Sequence, residues 1–505
     1  MKRIIASLLI SLSTIGSFAQ SEFDALKYTQ TDINGTARYM GMAGAFGALG
    51  GDASAISINP AGLGIYRSSE FAFTSGLIYN QVNTELNGVS ATDNNYKVPL
   101  NNMSYIINFG GDTNKKSGLV NSSFGITFNK LKNFNRNIYI KGGPQNTSMT
   151  DYMAGFSNGL TVTDLTLVDS TGYDPCDVDY IPWLSVLAFE AELIDTVDTD
   201  YYWESLLKQG ENISPDYSLT ESGYINEWNF SYAANISNRI YIGASLGIQD
   251  IKYSRTSIYS EDFFDGGGFD LTNHFITYGS GINFKIGTIL RPFDFLRLGA
   301  ALHTPTFLSL TDEYNAYVES TIGSSETPLG GSYYKIQGPM QTNLSAALIV
   351  GKIGLLSVDY GFTNYTSITI RDDNNLSAPF VKENQGIANY LQDTHTLKIG
   401  TEIRINDNFS LRAGYGLATP ATNNSKARKE LPENTMRTDP EYFLDQNTKY
   451  STIGFGYREG NCFFDFAYMQ RNQSQDFYAY NLNGASKATV NNSTNNFIAT
   501  LGFRF

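Results

Sequence analysis

The chain has 505 residues and a formal net charge of -14, with 17% charged side chains against 13% aromatic ones, 33 Tyr, 32 Phe and 47 Gly. An acidic chain repels nucleic-acid phosphates, and no basic patch with interleaved aromatics offsets that, so no nucleic-acid partner is expected. Charge this sparse is unusual for a soluble enzyme of this size, whereas abundant Tyr, Phe, Gly, Asn and Thr suit many strands joined by polar loops.

The first twenty residues read "MKRIIASLLISLSTIGSFAQ". Lys2 and Arg3 form a positive start, an apolar run follows, and Ser17-Phe18-Ala19 has the small-x-small form of a cleavage site. Residues 1–19 are therefore expected to be a secretory signal peptide, with the mature chain starting near Gln20. No Cys follows the cleavage point, so no lipid anchor is implied. No later segment has the roughly 18 apolar residues of a helical span. Cys176 and Cys462 are far apart and make no disulfide framework.

Next comes "GMAGAFGALGGDASAISINPAGLGIY", residues 41–66. Its glycines invite comparison with a phosphate loop, but no G-x-x-x-x-G-K-[ST] is present and no strand precedes it. From composition it is a compact, uncharged segment ahead of the first strand. Gly permits tight backbone paths there, and Pro60 fixes one bend.

Period-two alternation then dominates. In "RIYIGASLGIQ", Ile240, Ile242, Ala244, Leu246 and Ile248 share one face, and Tyr241, Gly243, Ser245, Gly247 and Gln249 the other. The pattern predicts about fourteen strands, near 69–81, 101–111, 119–132, 222–236, 239–256, 270–289, 293–312, 332–349, 353–368, 387–403, 408–419, 447–458, 461–474 and 491–505. Connections such as 237–238, 351–352 and 405–408 are short, and they alternate with long ones, the longest about 133–221. Short turns at one end and long loops at the other predict an all-β transmembrane antiparallel barrel, with the short turns and both chain ends on the periplasmic side. Lys398, Glu402, Arg412, Asp465 and Arg504 then face a wet lumen. A soluble β-sandwich would also alternate, but needs no apolar outer band on nearly every strand. Within 133–221, "WLSVLAFEAELID" has helical spacing, so a partly helical insertion, a lid over the barrel mouth, is expected there. The acidic residues after it are read as solvated rather than as a cation site, since no EF-hand pattern is present.

Catalytic and metal signatures are not found. The three histidines, His274, His303 and His395, fall on different strands, and no G-x-S-x-G elbow accompanies them. No metal site and no cofactor are expected. His303 precedes Thr304-Pro305-Thr306, and proline cannot donate to a ladder, so His303 and Pro305 mark a strand irregularity near a pocket.

With these residues in view, the sequence resembles the long-chain fatty acid and hydrocarbon transporters of Gram-negative outer membranes, the FadL/TodX family, in its Bacteroidetes-type form. The carrying motif is Gly51-Asp52-Ala53-Ser54-Ala55 followed by Asn59-Pro60-Ala61-Gly62-Leu63, with weaker echoes in "LRAGYGLATP" and "VDYGFTNYTSI" and a closing Phe505. The resemblance implies a fourteen-stranded barrel, 68–505, with an N-terminal hatch, 20–67, folded inside the lumen and gated at Asn59, Pro60, Ala61 and Gly62. It implies passive uptake of a hydrophobic small molecule through an interior apolar pocket, in a cell outer membrane, with lipid, lipopolysaccharide and the barrel-assembly machinery as partners and a monomer as the working unit. A kink in the third strand accompanies a lateral route in that family, but 119–132 holds Gly125 and no proline. A surface adhesin or structural barrel is the main alternative. A general porin would want an unobstructed lumen, and an enzyme would need a polar triad.

Overall fold

The computed structural model describes residues 20–110, 117–168, 172–207, 211–264, 266–351, 353–432 and 435–505. The expected signal peptide, 1–19, and most of the turn between the second and third strands lie outside the described residues.

Fourteen antiparallel wall strands follow one another around a closed circle. They are β1 (Glu70–Leu86), β2 (Val89–Lys97 and Leu100–Gly110), β3 (Leu119–Asn133 and Arg136–Lys141), β4 (Ile213–Ile236), β5 (Ile240–Phe263), β6 (Gly268–Phe293) and β7 (Leu296–His303 and Phe307–Ser320). The circle continues with β8 (Gly330–Gln337 and Gln341–Val350), β9 (Gly354–Asn364 and Thr369–Arg371), β10 (Asp393–Arg404), β11 (Phe409–Ala418), β12 (Tyr442–Glu459), β13 (Cys462–Tyr478) and β14 (Lys487–Arg504). β14 pairs with β1 from Glu70↔Arg504 to Glu85↔Thr489, which closes the barrel. Arg504 Nε donates to Glu70 Oε2 at 2.7 Å across that seam. Closure removes the unpaired strand edges that a lipid environment would penalise. Three short extra strands lie in the loops, Ile194–Thr196, Trp203–Ser205 and Ser324–Glu326.

Alternation along each strand sorts the side chains. On β5, Ile242 is 46% exposed on the outside and Tyr241 is 2% exposed on the inside. The same outward row includes Leu298 and Leu302, Leu397 and Ile399, Leu411 and Tyr415, and Phe497 to Phe505. A continuous apolar exterior over polar interior positions is stable against hydrocarbon and would aggregate in water.

The wall differs from the sequence-based expectation at several strand ends, among them 387–390, which belongs to the helix Val381–Tyr390, and 257–269, where β5 and β6 run on to a short turn; three further differences matter more. Residues 82–97 were read as a loop, but β1 and β2 meet at Asn87-Gly88, both at positive φ, in a tight hairpin. Asn-Gly is the strongest local hairpin signal. It was masked because the flanking segment, "VSATDNNYK", has no apolar face to bury or to show to lipid. β4 also begins earlier than expected, at Ile213, and β3 continues past a break at 134–135, because both strands run on above the apolar band. The third difference concerns the chain ends. Glu70 and Arg504 do share the short-turn side, but Gln20 lies at the opposite end, beside Asp312 of β7.

At the long-loop end, the insertion between β3 and β4 carries α3 (Met149–Ser157), α4 (Val162–Leu165) and α5 (Trp183–Glu190), counted after α1 (Glu22–Thr29) and α2 (Ala37–Met40) in the N-terminal segment. Met149, Met153, Leu184 and Leu187 join upper wall residues such as Leu271, Leu310 and Tyr334 in one large apolar cluster. Separate, smaller clusters hold the N-terminal segment to the lower wall.

Candidate functional site

Residues 20–66 contact inward-facing wall positions, from Asp312 and Thr277 towards the long-loop end to Gly243 and Gly287 towards the short-turn end. The run starts with α1, capped by a reciprocal Ser21–Asp24 box. Gln20 Nε2 donates to Asp312 Oδ2 at 3.1 Å, and Tyr28 shares a 2.7 Å hydrogen bond with Thr277 of β6. The loop between β11 and β12 folds inward to meet this helix. Arg437 from that loop lies 3.2 Å from Asp24 and 2.5 Å from Asp439. Lys429 and Arg255 of β5 also reach Asp439, at 3.3 and 2.9 Å, and Arg255 pairs with Glu441. Burial pushes the Asp24 carboxyl up, but Arg437 and Lys27 outweigh it and hold it at about 2. Glu22, two residues earlier, is the opposite case. Burial dominates there, only partly opposed by a backbone hydrogen bond and Lys429, and its carboxyl is pushed up to about 7.

Lower down the chemistry changes. Thr36 caps α2, and its hydroxyl donates to Asp52 at 2.8 Å. Arg38 and Arg412 of β11 both grip Glu402 of β10, and Arg412 continues to Asp465 of β13. Between these, residues 41–62 touch the wall backbone to backbone. A Cβ on Gly414 would come within 2.5 Å of the Met42 carbonyl carbon, and one on Gly299 within 2.5 Å of the Gly47 oxygen. Glycine on the inner wall is what admits the segment here.

Asn59, Pro60, Ala61 and Gly62 sit at the centre of this contact. Asn59 caps the 3-10 turn Pro60–Ile65, its side-chain oxygen accepting from Ala61 N–H at 3.1 Å. Its amide donates to Gly47 O at 2.7 Å and to Thr288 O of β6 at 3.1 Å. One side chain thus ties the segment to itself and to the wall. The wall makes room with two glycines, since a Cβ on Gly287 would meet Asn59 Oδ1 at 2.0 Å and one on Gly243 would meet Pro60 at 2.4 Å. Ala61 is fully buried, and Gly62 crosses Gly50 so closely that a Cβ on Gly62 would lie 2.9 Å from the Gly50 Cα.

His303 converges on the same turn, its Nε2–H donating to Ile58 O at 2.7 Å. Pro305 stands between the two stretches of β7, where residues 304–306 leave the ladder. The neighbouring strands are interrupted at the same height, β8 at 338–340 and β9 at 365–368.

Among the described residues, four of the spaces lie beside the N-terminal segment. A cleft of about 360 Å³ at the long-loop end is lined by Gln20, Glu22, Glu383 and Lys429. An upper chamber of about 200 Å³ combines Phe23, Leu26, Phe134, Phe443 and Met469 with Lys27, Arg136, Glu221 and Arg471. A middle chamber of about 200 Å³ reaches the interrupted strands at Thr304, Pro339 and Tyr365, and its other walls combine Thr, Asn and Gln side chains and the charged Glu227, Lys285 and Lys398 with Ile33, Ile58, Leu131 and Ile225. A lower chamber of about 480 Å³ opens at the short-turn end. Asp32, Ile33 and Asn34 line both the upper and the middle chamber, and the segment that follows stands between the middle and the lower one. The lumen is therefore not a single greasy pocket. Its chambers mix aromatic and aliphatic patches with fixed charges, which suits a molecule with an apolar body and a polar end.

Sequence reasoning did not single out the Arg437–Asp24–Asp439 contact or the inner-wall glycines. The glycines had a visible signal, because Gly243, Gly287 and Gly299 all fall on the inward parity. The ion pairs had none, since loop 419–441 meets α1 only through the fold.

No protein-family model and no curated protein matches this chain. Among solved structures, it is similar to a Pseudomonas aeruginosa FadL homologue, with a TM-score of 0.55 and 13% identity over 94% of this chain and 100% of that one. It is also similar to the P. putida toluene transporter TodX, with a TM-score of 0.51 and 11% identity over 94% of this chain and 99% of that one. At these identities the likeness is one of fold, over nearly the full length of each chain.

Proposed function

We propose that the protein is an outer-membrane channel for passive uptake of small hydrophobic or amphipathic molecules, with residues 20–67 as an internal hatch gated around Asn59–Gly62. The observation that carries this reading is the run of contacts that residues 20–66 make with inward-facing wall positions, with separate chambers beside them, which supports a segment that partitions the lumen. A structural barrel or an adhesin has no use for such a partition, and a general porin would lose its conductance to it. The apolar outer wall suits a membrane, and the fold shared with a FadL homologue and a toluene transporter supports placing that membrane in a Gram-negative envelope. The motif at 51–63 supports the finer, Bacteroidetes-type assignment.

Transport of this kind needs binding and release rather than catalysis. A greasy solute is slowed by the polar leaflet outside, and a shielded chamber lowers that barrier by about 25 cal/mol for each Å² of apolar surface it covers. The upper chamber supplies Phe23, Leu26, Phe134 and Phe443 for this purpose. Its charged rim keeps the affinity moderate, which speeds release. Entry is by way of the cleft beside Gln20, and passage requires the Asn59 turn to leave its seat.

Uptake of a labelled alkyl or aromatic probe into proteoliposomes tests this. The expected result is flux down the gradient, unaffected by collapse of a proton gradient, with altered permeability in Asn59→Ala and a barrel that still assembles. Flux that vanishes with the proton gradient, or an Asn59→Ala chain that never assembles, would overturn the gated passive channel.

A further inference from the structure

The lower chamber has an unusual charge pattern for so acidic a chain. Seven arginines line it. Three are neutralised within the protein, Arg38 and Arg412 by Glu402 and Asp465, and Arg504 by Glu70. The other four, Arg67, Arg297, Arg404 and Arg458, have no ion-pair partner among the described residues, and Asp407 is the one remaining acid on the lining. They come from four separate places, the end of the N-terminal segment and the short-turn ends of β7, β10 and β12. No single helix or loop explains their gathering.

Arg67 donates to Asn121 and Asn238, and the other three keep donors for a ligand. Arg297 donates one Nη1 hydrogen bond to Leu49 O at 2.6 Å, and its buried Nε has no partner. Arg458 and Arg504 both lie over the ring of Phe463, 5.9 and 5.3 Å from its centre, so two guanidinium groups crowd one ring. Arg504 has Glu70 as its counter-ion, so Arg458 is the one of the two left without an anion, and an oxyanion that takes its hydrogen bonds supplies one. Guanidinium forks match the paired oxygens of carboxylate and phosphate. Leu49, Ile65, Ile349 and Leu355 line the same space and offer an apolar surface beside the charges.

We propose that the lower chamber is a binding site for an oxyanion, carboxylate or phosphate, held by Arg297, Arg404 and Arg458 at the short-turn mouth, with Leu49, Ile65 and Leu355 covering an attached apolar chain. The site stands on equilibrium binding and not on flux, so it survives or falls independently of the transport reading.

The test is equilibrium dialysis of the full chain in neutral-lipid nanodiscs against three labelled probes, inorganic phosphate, dodecyl phosphate and dodecanol. Dodecyl phosphate is expected to bind, sulfate to displace it, and the combined Arg297→Gln and Arg458→Gln variant to bind it at least tenfold more weakly. Arg239→Gln, a rim residue paired with Asp294 outside the chamber, should leave binding unchanged. Inorganic phosphate binding as tightly as dodecyl phosphate would identify a small-anion site filled from solution. Selective binding of the alkyl form would identify an amphiphile's head group. Equal binding of dodecanol and dodecyl phosphate, or an affinity indifferent to the combined arginine variant, would overturn the proposal. Should the double variant fail to assemble, Arg404→Gln alone and the sulfate displacement of wild-type protein give the same decision.

Discussion

The two ends of the N-terminal segment are held in opposite ways. At the long-loop end, α1 is fastened by charge, with Arg437, Lys429 and Arg255 converging on Asp24, Asp439 and Glu441. At the short-turn end, residues 41–62 are fastened by shape, with glycine facing backbone on β5, β7, β10 and β11 and facing the Asn59 side chain on β6. Ion pairs depend on protonation and on a single partner. Close packing depends on volume and has no partial state. The upper end is thus the one that solution conditions are expected to loosen, while the lower end is held by packing and hydrogen bonds around Asn59.

Four experiments break or sharpen this contrast. The largest effect is expected from Gly287→Val, which puts a branched side chain where Asn59 Oδ1 already sits. Overpacking usually costs about 1–3 kcal/mol, and here the cost should exceed about 3 kcal/mol, because the overlap falls on a side chain held by three hydrogen bonds and removes the seat of the Asn59 turn. Limited proteolysis should cleave 41–64 in a barrel that still shows its folded mobility on gels. Protection equal to wild type would mean the segment does not rest on that glycine.

Arg437→Ala should come next, at about 2–3 kcal/mol of local stability, because it removes the nearer of two cations from buried Asp24, leaving Lys27 at 3.5 Å, while Asp439 keeps Lys429 and Arg255. Hydrogen exchange should rise in α1 and stay unchanged in 41–62. Exchange rising equally in both would show that the two ends release together.

The pH response of α1 has two arms of opposite sign. Asp24 has a folded value of about 2 against 3.8, so its stabilisation is present above 3.8 and is lost as pH falls towards 2, a loss of about 2 kcal/mol. Glu22 has a folded value of about 7 against 4.5, so the folded form holds its proton longer and docking weakens as pH rises from 4.5 to 7, by about 3 kcal/mol. Docking of α1 should therefore be tightest near pH 4.5, and Glu22→Gln should flatten the upper arm. A profile unchanged by Glu22→Gln would place the titrating group elsewhere.

The smallest effect is expected from His303→Leu, which removes one hydrogen bond to Ile58 O at a cost of about 1 kcal/mol. A modest rise in proteolysis around 58, with β7 intact, is the expected readout. Wholesale loss of the barrel would show that His303 supports the wall rather than the turn.

Much of the wall was legible along the chain. Alternation placed Leu397, Ile399 and Ile403 outside and Lys398 and Glu402 inside, because one side chain in two must meet hydrocarbon. Where the strands extend beyond that band, as at 89–97 and 136–141, the apolar row stops and the signal stops with it. Asn59 and Pro60 could be singled out from their motif, but their partners Thr288, Gly243 and Gly287 could not, since they lie about two hundred residues away.

The sequence alone determined the number of strands, the faces they present and the compactness of 41–66, because these follow from local periodicity and side-chain size. Only the tertiary structure decided that Gln20 ends at the long-loop side, that loop 419–441 turns inward to meet Asp24, and that four arginines from separate strands and the segment share one chamber. Those are contacts between residues far apart in the chain, and barrel closure, not local preference, brings them together.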